Sequence, residues 1–299
     1  MKIRHAVDSD LATPLDGDTL PMVTPPPIAP AHPVRAAPPA PGAVATARDP
    51  LRDRALAAGV HLLLSGAVAA AVFALVHLLW YPAPLSRLLG VDAILAIVLL
   101  VDVVLGPLFT LIVFDRRKKR LAWDLATIAA LQLAALGYGV WTIGQGRPAF
   151  VVLVKDRFEL VAPADLRAED RAAARGNPWA DPDPLRPRWV AARLPDSARE
   201  RSAILVEAIG QGRDVQHHPR LYVDHAAESR AALERALPIA RLRALNPARG
   251  REIDAAVAST GLGPEALRYL PLRGTAADGA VLVDATDGRV RAVTALAPW

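Results

Sequence analysis

Residues 93–114 form an apolar run broken by one acid, Asp102. After Asp115 it is followed by five consecutive bases, Arg116, Arg117, Lys118, Lys119 and Arg120. About twenty apolar residues at ~1.5 Å each match a hydrocarbon core of ~30 Å, so the run reads as a membrane-crossing helix. A carboxyl group inside hydrocarbon costs at least ~2.5 kcal/mol and is rarely kept without a role. The bases act as topology determinants, holding their end of the helix on the cytoplasmic side.

Two further runs share this character. Residues 60–80 contain no Lys, Arg, Asp or Glu, and end in Trp80 and Tyr81, an aromatic pair suited to the membrane interface. Pro82 and Pro84 stop that helix. Residues 121–143 form the third, joined to the second by a short basic hairpin. The 299-residue chain is 53% hydrophobic with a mean hydropathy of +0.24, and the excess is concentrated in these three runs. Arginines at 48, 52 and 54 precede the first run, whereas the 81–92 loop carries Arg87 as its one base. The charges therefore predict a cytoplasmic N-terminus, three crossings and an extracytoplasmic C-terminus. In a two-membrane bacterium that means the inner membrane and the periplasm.

The expected organisation has three parts. Residues 1–50 are rich in Pro and Ala without apolar periodicity, which predicts a disordered cytoplasmic tail. Residues 51–146 hold the helices. Residues 147–299 form an α+β domain large enough to bury its own core. The first apolar run begins too far into the chain, and is too long, for a cleavable signal peptide. The formal charge of +5 and pI near 9.9 permit nucleic-acid binding, but the bases are scattered and locally balanced, so no nucleic-acid partner is expected. The absence of cysteine excludes disulfides and thiolate chemistry.

In the last part, 151–154 and 158–161 flank a tight Lys155-Asp156-Arg157 turn, and Asp287-Gly288 marks a second hairpin. Ser197 and Glu200 form an S-x-x-E capping box, with Ile204, Leu205, Ala208 and Ile209 as the apolar face of the helix that follows. Further helices are predicted at 226–237 and at 247–259, the latter with Asn246 as N-cap and Pro247 in the first turn.

The polar residues of the helices mark the candidate site. Asp102 and Gly106 are one turn apart, and Pro107 removes an amide donor, freeing the carbonyl of Val103. Counted from the basic hairpin, Asp102 lies twelve residues above Phe114 and Gln132 eleven above Leu121. Both are therefore at a depth of roughly 17 Å, which predicts a hydrogen bond between them. Ala135 and Gly139 extend the Gln132 face and allow close helix approach. Gly66, Ala70 and Ala74 form a small-residue face for helix packing on the first run. The Asp102 and Gln132 patch reads either as internal glue or as a docking point for a partner's membrane helix. Asp124 is expected to pair with the base run, and His77 to sit at the membrane edge.

Catalytic motifs are absent. His217, His218, Asp224 and His225 have ligand chemistry without H-E-x-x-H spacing, and no G-x-S-x-G, P-loop or G-x-G-x-x-G occurs. No enzyme activity, metal or cofactor is expected.

Taken together, WYPAPL at 80–85, VDVVLGPLFTLIVF at 101–114, WDLATIAALQLAALGYGVWTI at 123–143 and RPAFVVLVKDRFELV at 147–161 resemble the type IV pilin accessory proteins of the TfpX/TfpZ kind. YLPL at 269–272, VLVDATDGRV near the end and Pro298-Trp299 extend the likeness more loosely. The resemblance implies an inner-membrane protein that binds a type IV pilin, major or minor, as a chaperone or assembly factor. Membrane lipids are its surroundings. Asp156, Arg157 and Phe158 form the family-like turn of the outer domain. The long Pro-rich leader departs from the family pattern. The alternative function, from another class, is a membrane-anchored extracytoplasmic sensor or ligand-binding module, with a membrane hydrolase third.

Overall fold

The computed structural model describes residues 49–299. Of the tail expected at 1–50, only its end is among the described residues, and that end starts a helix. Asp49 accepts a hydrogen bond from the Leu51 amide at 3.0 Å, and Pro50 occupies the first turn, where its missing N–H costs nothing. Helix one therefore runs Pro50–Trp80, starting before the apolar run predicted at 60. Arg52 and Arg54 lie on it rather than ahead of it. The absence of charge marks the hydrocarbon-crossing part, but cap chemistry decides where the helix begins.

Helix two is Val91–Val113 and helix three Leu121–Gly146; all three are long and apolar enough to cross a membrane. Helix two is the shared partner, packing along helix one on one side and helix three on the other. Near the C-terminal domain the three lock together. Val76, Val91, Leu95 and Ile143 are buried in one cluster, and the Tyr81 hydroxyl donates to the Ile143 carbonyl at 2.8 Å. Glycine permits a close approach of helix three to helix one: a methyl group added at Gly144 would stand 3.1 Å from the Trp80 ring.

The C-terminal domain is built on a mixed eight-stranded sheet. Its strands are β1 (Phe150–Val154), β2 (Arg157–Val161), β3 (Arg188–Ala192), β4 (Tyr222–Asp224), β5 (Leu237–Pro238), β6 (Leu267–Arg273), β7 (Gly279–Asp284) and β8 (Val290–Thr294). The order is β4-β3-β1-β2-β6-β7-β8, with β5 paired to β6. The predicted hairpins are β1–β2 and β7–β8, both antiparallel, with Lys155 and Gly288 at positive φ in their turns. Two parallel pairings, β1 with β3 and β2 with β6, join segments distant in sequence.

Alternation along the strands sends side chains to opposite faces, and both faces are covered. Phe150, Val152 and Val154 meet Ile204 of the helix Ala198–Gln211 on one side. Val151 and Leu153 pack on the other with Ala232 of the helix His225–Leu233. Leu85 and Leu88 join this second core from the connection between helices one and two. Leu88 is fully buried, and its carbonyl accepts from the Ala276 and Ala277 amides at 2.9 and 3.2 Å. The domain's core thus draws on residues ahead of 147, through the short helix Leu85–Leu89.

Three local expectations give way to competing contacts. Ser197 caps its helix, but Glu200 pairs with Arg220 instead of completing the box, and the apolar face divides, with Ile204 buried while Leu205 and Ile209 are exposed. The helix expected at 226–237 ends at Leu233, because Leu237 and Pro238 pair with β6. Asn246 does not cap the helix Gly250–Ser259: its side chain donates to the Leu242 and Ala297 carbonyls at 2.9 Å each and accepts from the Ala297 amide at 3.0 Å. It fastens the C-terminus, where the buried Tyr269 hydroxyl also donates to the Pro298 carbonyl at 3.1 Å.

Candidate functional site

Away from the C-terminal domain, toward the basic hairpin, helices one and three part. The space between them over helix two is a groove of about 580 Å³, apolar along its walls and polar on its floor. Asp53, Phe114 and Arg116 stand at its basic end; Val68, Leu136 and Asp102 stand at the other. The three helices are long and apolar enough to cross a membrane, and for helices that do so the hydrophobic effect gives no drive to close such a cleft.

The floor is the patch singled out in the sequence. Asp102 is buried, and Gln132 Nε2 donates to its Oδ1 and to its carbonyl oxygen, both at 3.1 Å. The second bond has a backbone cause. Val101–Leu105 is wound as a wider i→i+5 turn, and in that register the donor facing the Asp102 carbonyl would be Pro107, which has none. Gln132 supplies the missing N–H. The carbonyl it serves is thus that of Asp102, where α-helical counting pointed to Val103. The other Gln132 atom, Oε1, is buried without a partner among the described residues.

Two glycines make this geometry possible. A Cβ built at Gly106 would lie 2.0 Å from Gln132 Nε2, so only glycine leaves room for the amide. A Cβ at Gly139 would stand 2.8 Å from Val98 Cγ2, so helices two and three touch there as closely as backbones allow. Across this seam, a smaller pocket of about 310 Å³ is also lined by Asp102, Gln132 and Gly139.

The sequence reading passed over His61, Ser65 and Thr110. His61 Nδ1 and Thr110 Oγ1 lie 2.6 Å apart, joining helices one and two within the groove, and Ser65 is buried beside them. The signal was available as polar residues at 61 and 65, one helical turn apart in an otherwise apolar run. They face helix two, whereas Ala70 is exposed and a Cβ at Gly66 would meet nothing within 4 Å. Gly66 and Ala74 are half-buried.

At the basic end, Arg116 Nε reaches Asp53 at 3.1 Å and Lys118 reaches Asp124 at 3.6 Å. His77 pairs with Asp92 at 3.5 Å. Arg117, Lys119 and Arg120 are exposed.

In the C-terminal domain the histidines separate. His218 sits between Asp170 and Glu207, at 3.7 and 3.2 Å, the latter contact outside hydrogen-bond alignment. Arg213 shares Asp170 with it and donates to the Asp165 carbonyl at 3.0 Å. His225 stacks on Phe158 with ring centroids 5.7 Å apart. Burial lowers the pKa of His217, His218 and His225. Among the described residues no three His, Asp or Glu side chains converge on a metal position. In the family-like turn, Phe158 is a core residue, and Arg157 Nε donates to Glu159 at 2.5 Å while reaching Asp156 at 3.6 Å. That turn is a structural feature, fixed by its own ion pairs and ring contacts.

The family model for the fimbrial assembly protein FimB matches residues 49–90, which are helix one and the connection that enters the domain core. The serogroup I fimbrial assembly protein of Dichelobacter nodosus is 30% identical over 221 residues, covering 72% of this chain and 84% of the relative. Its serogroup E1 counterpart is 29% identical over the same coverage. The counterpart of serogroups C1 and C2 is 32% identical over 114 residues, 38% of this chain and 87% of its own length. No solved structure matches. Identity of this extent across helices and domain together shows that the chain belongs to the family of fimbrial assembly proteins.

Proposed function

We propose that this chain is an inner-membrane accessory protein for a type IV pilin, holding the subunit's apolar helix against the groove while the C-terminal domain, in the periplasm, contacts its globular head. The role is binding and assembly, without catalysis. The observation that carries the reading is the groove. Three helices of which the outer two part over a polar floor leave the place of a fourth helix open, and a pilin subunit brings one long apolar helix to the membrane. Association there rests on close packing, with Asp102 as an acceptor for a donor group on the guest helix. The fimbrial assembly role named for the relatives supports it.

Co-purification of the full chain with its cognate pilin from detergent is the test. Asp102→Asn keeps an oxygen acceptor for Gln132 and should recover pilin as the natural chain does. Asp102→Leu removes an interhelical bond of about 1 kcal/mol and the groove's acid together, and should reduce pilin recovery and piliation. Unchanged pilin levels, binding and piliation on deletion of the whole chain would refute the assignment.

A further inference from the structure

Beside the basic end of the groove lies a pocket of about 340 Å³, lined by Pro50, Asp53, Arg54, Phe114, Asp115, Arg116 and Arg117, three guanidinium groups against two carboxylates. It shares Asp53, Phe114 and Arg116 with the groove, so clustered guanidinium groups and the apolar slot meet at the same residues. Arg116 spends one edge on Asp53. Arg54 and the Arg117 side chain have no carboxylate partner among the described residues. From Phe114 to Asp102 the slot runs about 18 Å along the helix, close to the ~15 Å that one leaflet contributes to a hydrocarbon core.

We propose that pocket and slot together seat one anionic phospholipid from the leaflet at the basic end, its phosphate on Arg54, Arg116 and Arg117 and one acyl chain in the groove. Guanidinium matches phosphate in charge and in paired hydrogen-bond geometry. Leu56, Val60 and Leu64 of helix one and Leu133 of helix three give the chain an apolar wall. An apolar helix would fill the slot but leave the arginine pocket empty, whereas an amphiphile with an anionic head and a tail of one leaflet's length fills both. The seat exists whether or not a pilin helix enters the groove. Where one does, the lipid is the occupant it displaces.

The test uses the detergent-solubilised full chain without pilin, titrated with phosphatidylglycerol, phosphatidylcholine or glycerol 3-phosphate and read by native mass spectrometry. One phosphatidylglycerol should be retained, phosphatidylcholine should bind at least about tenfold more weakly, and glycerol 3-phosphate should not bind. Arg116→Gln combined with Arg117→Gln should weaken phosphatidylglycerol about thirtyfold. Lys118→Gln combined with Lys119→Gln makes the same charge change outside the pocket and should cost less than about threefold. Ala129→Trp, filling the slot from helix three, should also weaken binding. Equal binding of the two lipids, equal losses from the two charge pairs, no effect of Ala129→Trp, or glycerol 3-phosphate binding as tightly as lipid would each overturn the proposal. None of these outcomes depends on pilin, so failure here leaves the accessory-protein reading to its own test.

Discussion

The two ends of the same three helices are built differently. Beside the C-terminal domain, every helix is held by the others and by the sheet: Val76, Tyr81, Val91, Leu95 and Ile143 are buried together, and the connection between helices one and two supplies Leu85 and Leu88 to the domain's core. At the basic end, helices one and three stand apart, each packed on helix two, with His61–Thr110 and Asp102–Gln132 as polar contacts across the two seams. The first arrangement makes domain and helices one unit. The second leaves an interface open inside a solvent where exposed apolar walls carry no penalty.

The contrast is broken most severely at Leu88. Leu88→Ala empties a fully buried site of the domain from within the helix connection, and should cost about 2 to 5 kcal/mol. Thermal unfolding in detergent should show domain and helices destabilised together. A normal melt of the domain with altered helices alone would mean that the connection is not part of its core.

Gly139→Leu probes the next level. Its side chain would collide with Val98 at the seam of helices two and three, and overpacking of this kind costs about 1 to 3 kcal/mol. Since Gly137 has nothing within 4 Å of an added Cβ, Gly137→Leu on the same helix should change the melting temperature much less. Equal effects would show that helix propensity, rather than the seam, was being measured.

The smallest expected effect sharpens the domain side of the comparison. Burial between Phe158 and Trp189 lowers the pKa of His225, with Asp224 opposing the shift. Below about pH 6.5 the unfolded imidazole binds a proton that the folded one refuses, so stability falls with pH until the folded group also titrates. His217 and His218 act in the same direction. The melting temperature should therefore drop between about pH 7.5 and about pH 5.5, and His225→Leu should narrow that drop. A drop of unchanged size in the variant would remove His225 from the account.

What could be read in the sequence follows from how locally each feature is encoded. The helices announce themselves by length and absence of charge, and equal depth was enough to bring Asp102 and Gln132 together. The Lys155-Asp156 and Asp287-Gly288 turns carry their hairpins within a few residues. The parallel partners of β1 and β2 could not be read this way, because they are chosen by packing across the sheet. Leu85 and Leu88, in a short apolar segment between two membrane runs, resemble membrane-edge residues until the domain that buries them is folded. Asn246 has the composition of an N-cap, but Ala297 offers its side chain two bonds in place of one. In the groove, His61 and Ser65 were legible as a polar face, yet only the parting of helices one and three shows that this face lines an open cleft.

The most direct measurement places a photo-crosslinking residue in turn at Leu64 and Leu133, on the groove walls, and at Leu63 and Leu131, exposed on other faces of the same helices. In cells making the cognate pilin, crosslinks to pilin should form from Leu64 and Leu133 and not from Leu63 and Leu131. Equal crosslinking from all four positions, or from Leu63 and Leu131 alone, would contradict the groove as the pilin's seat.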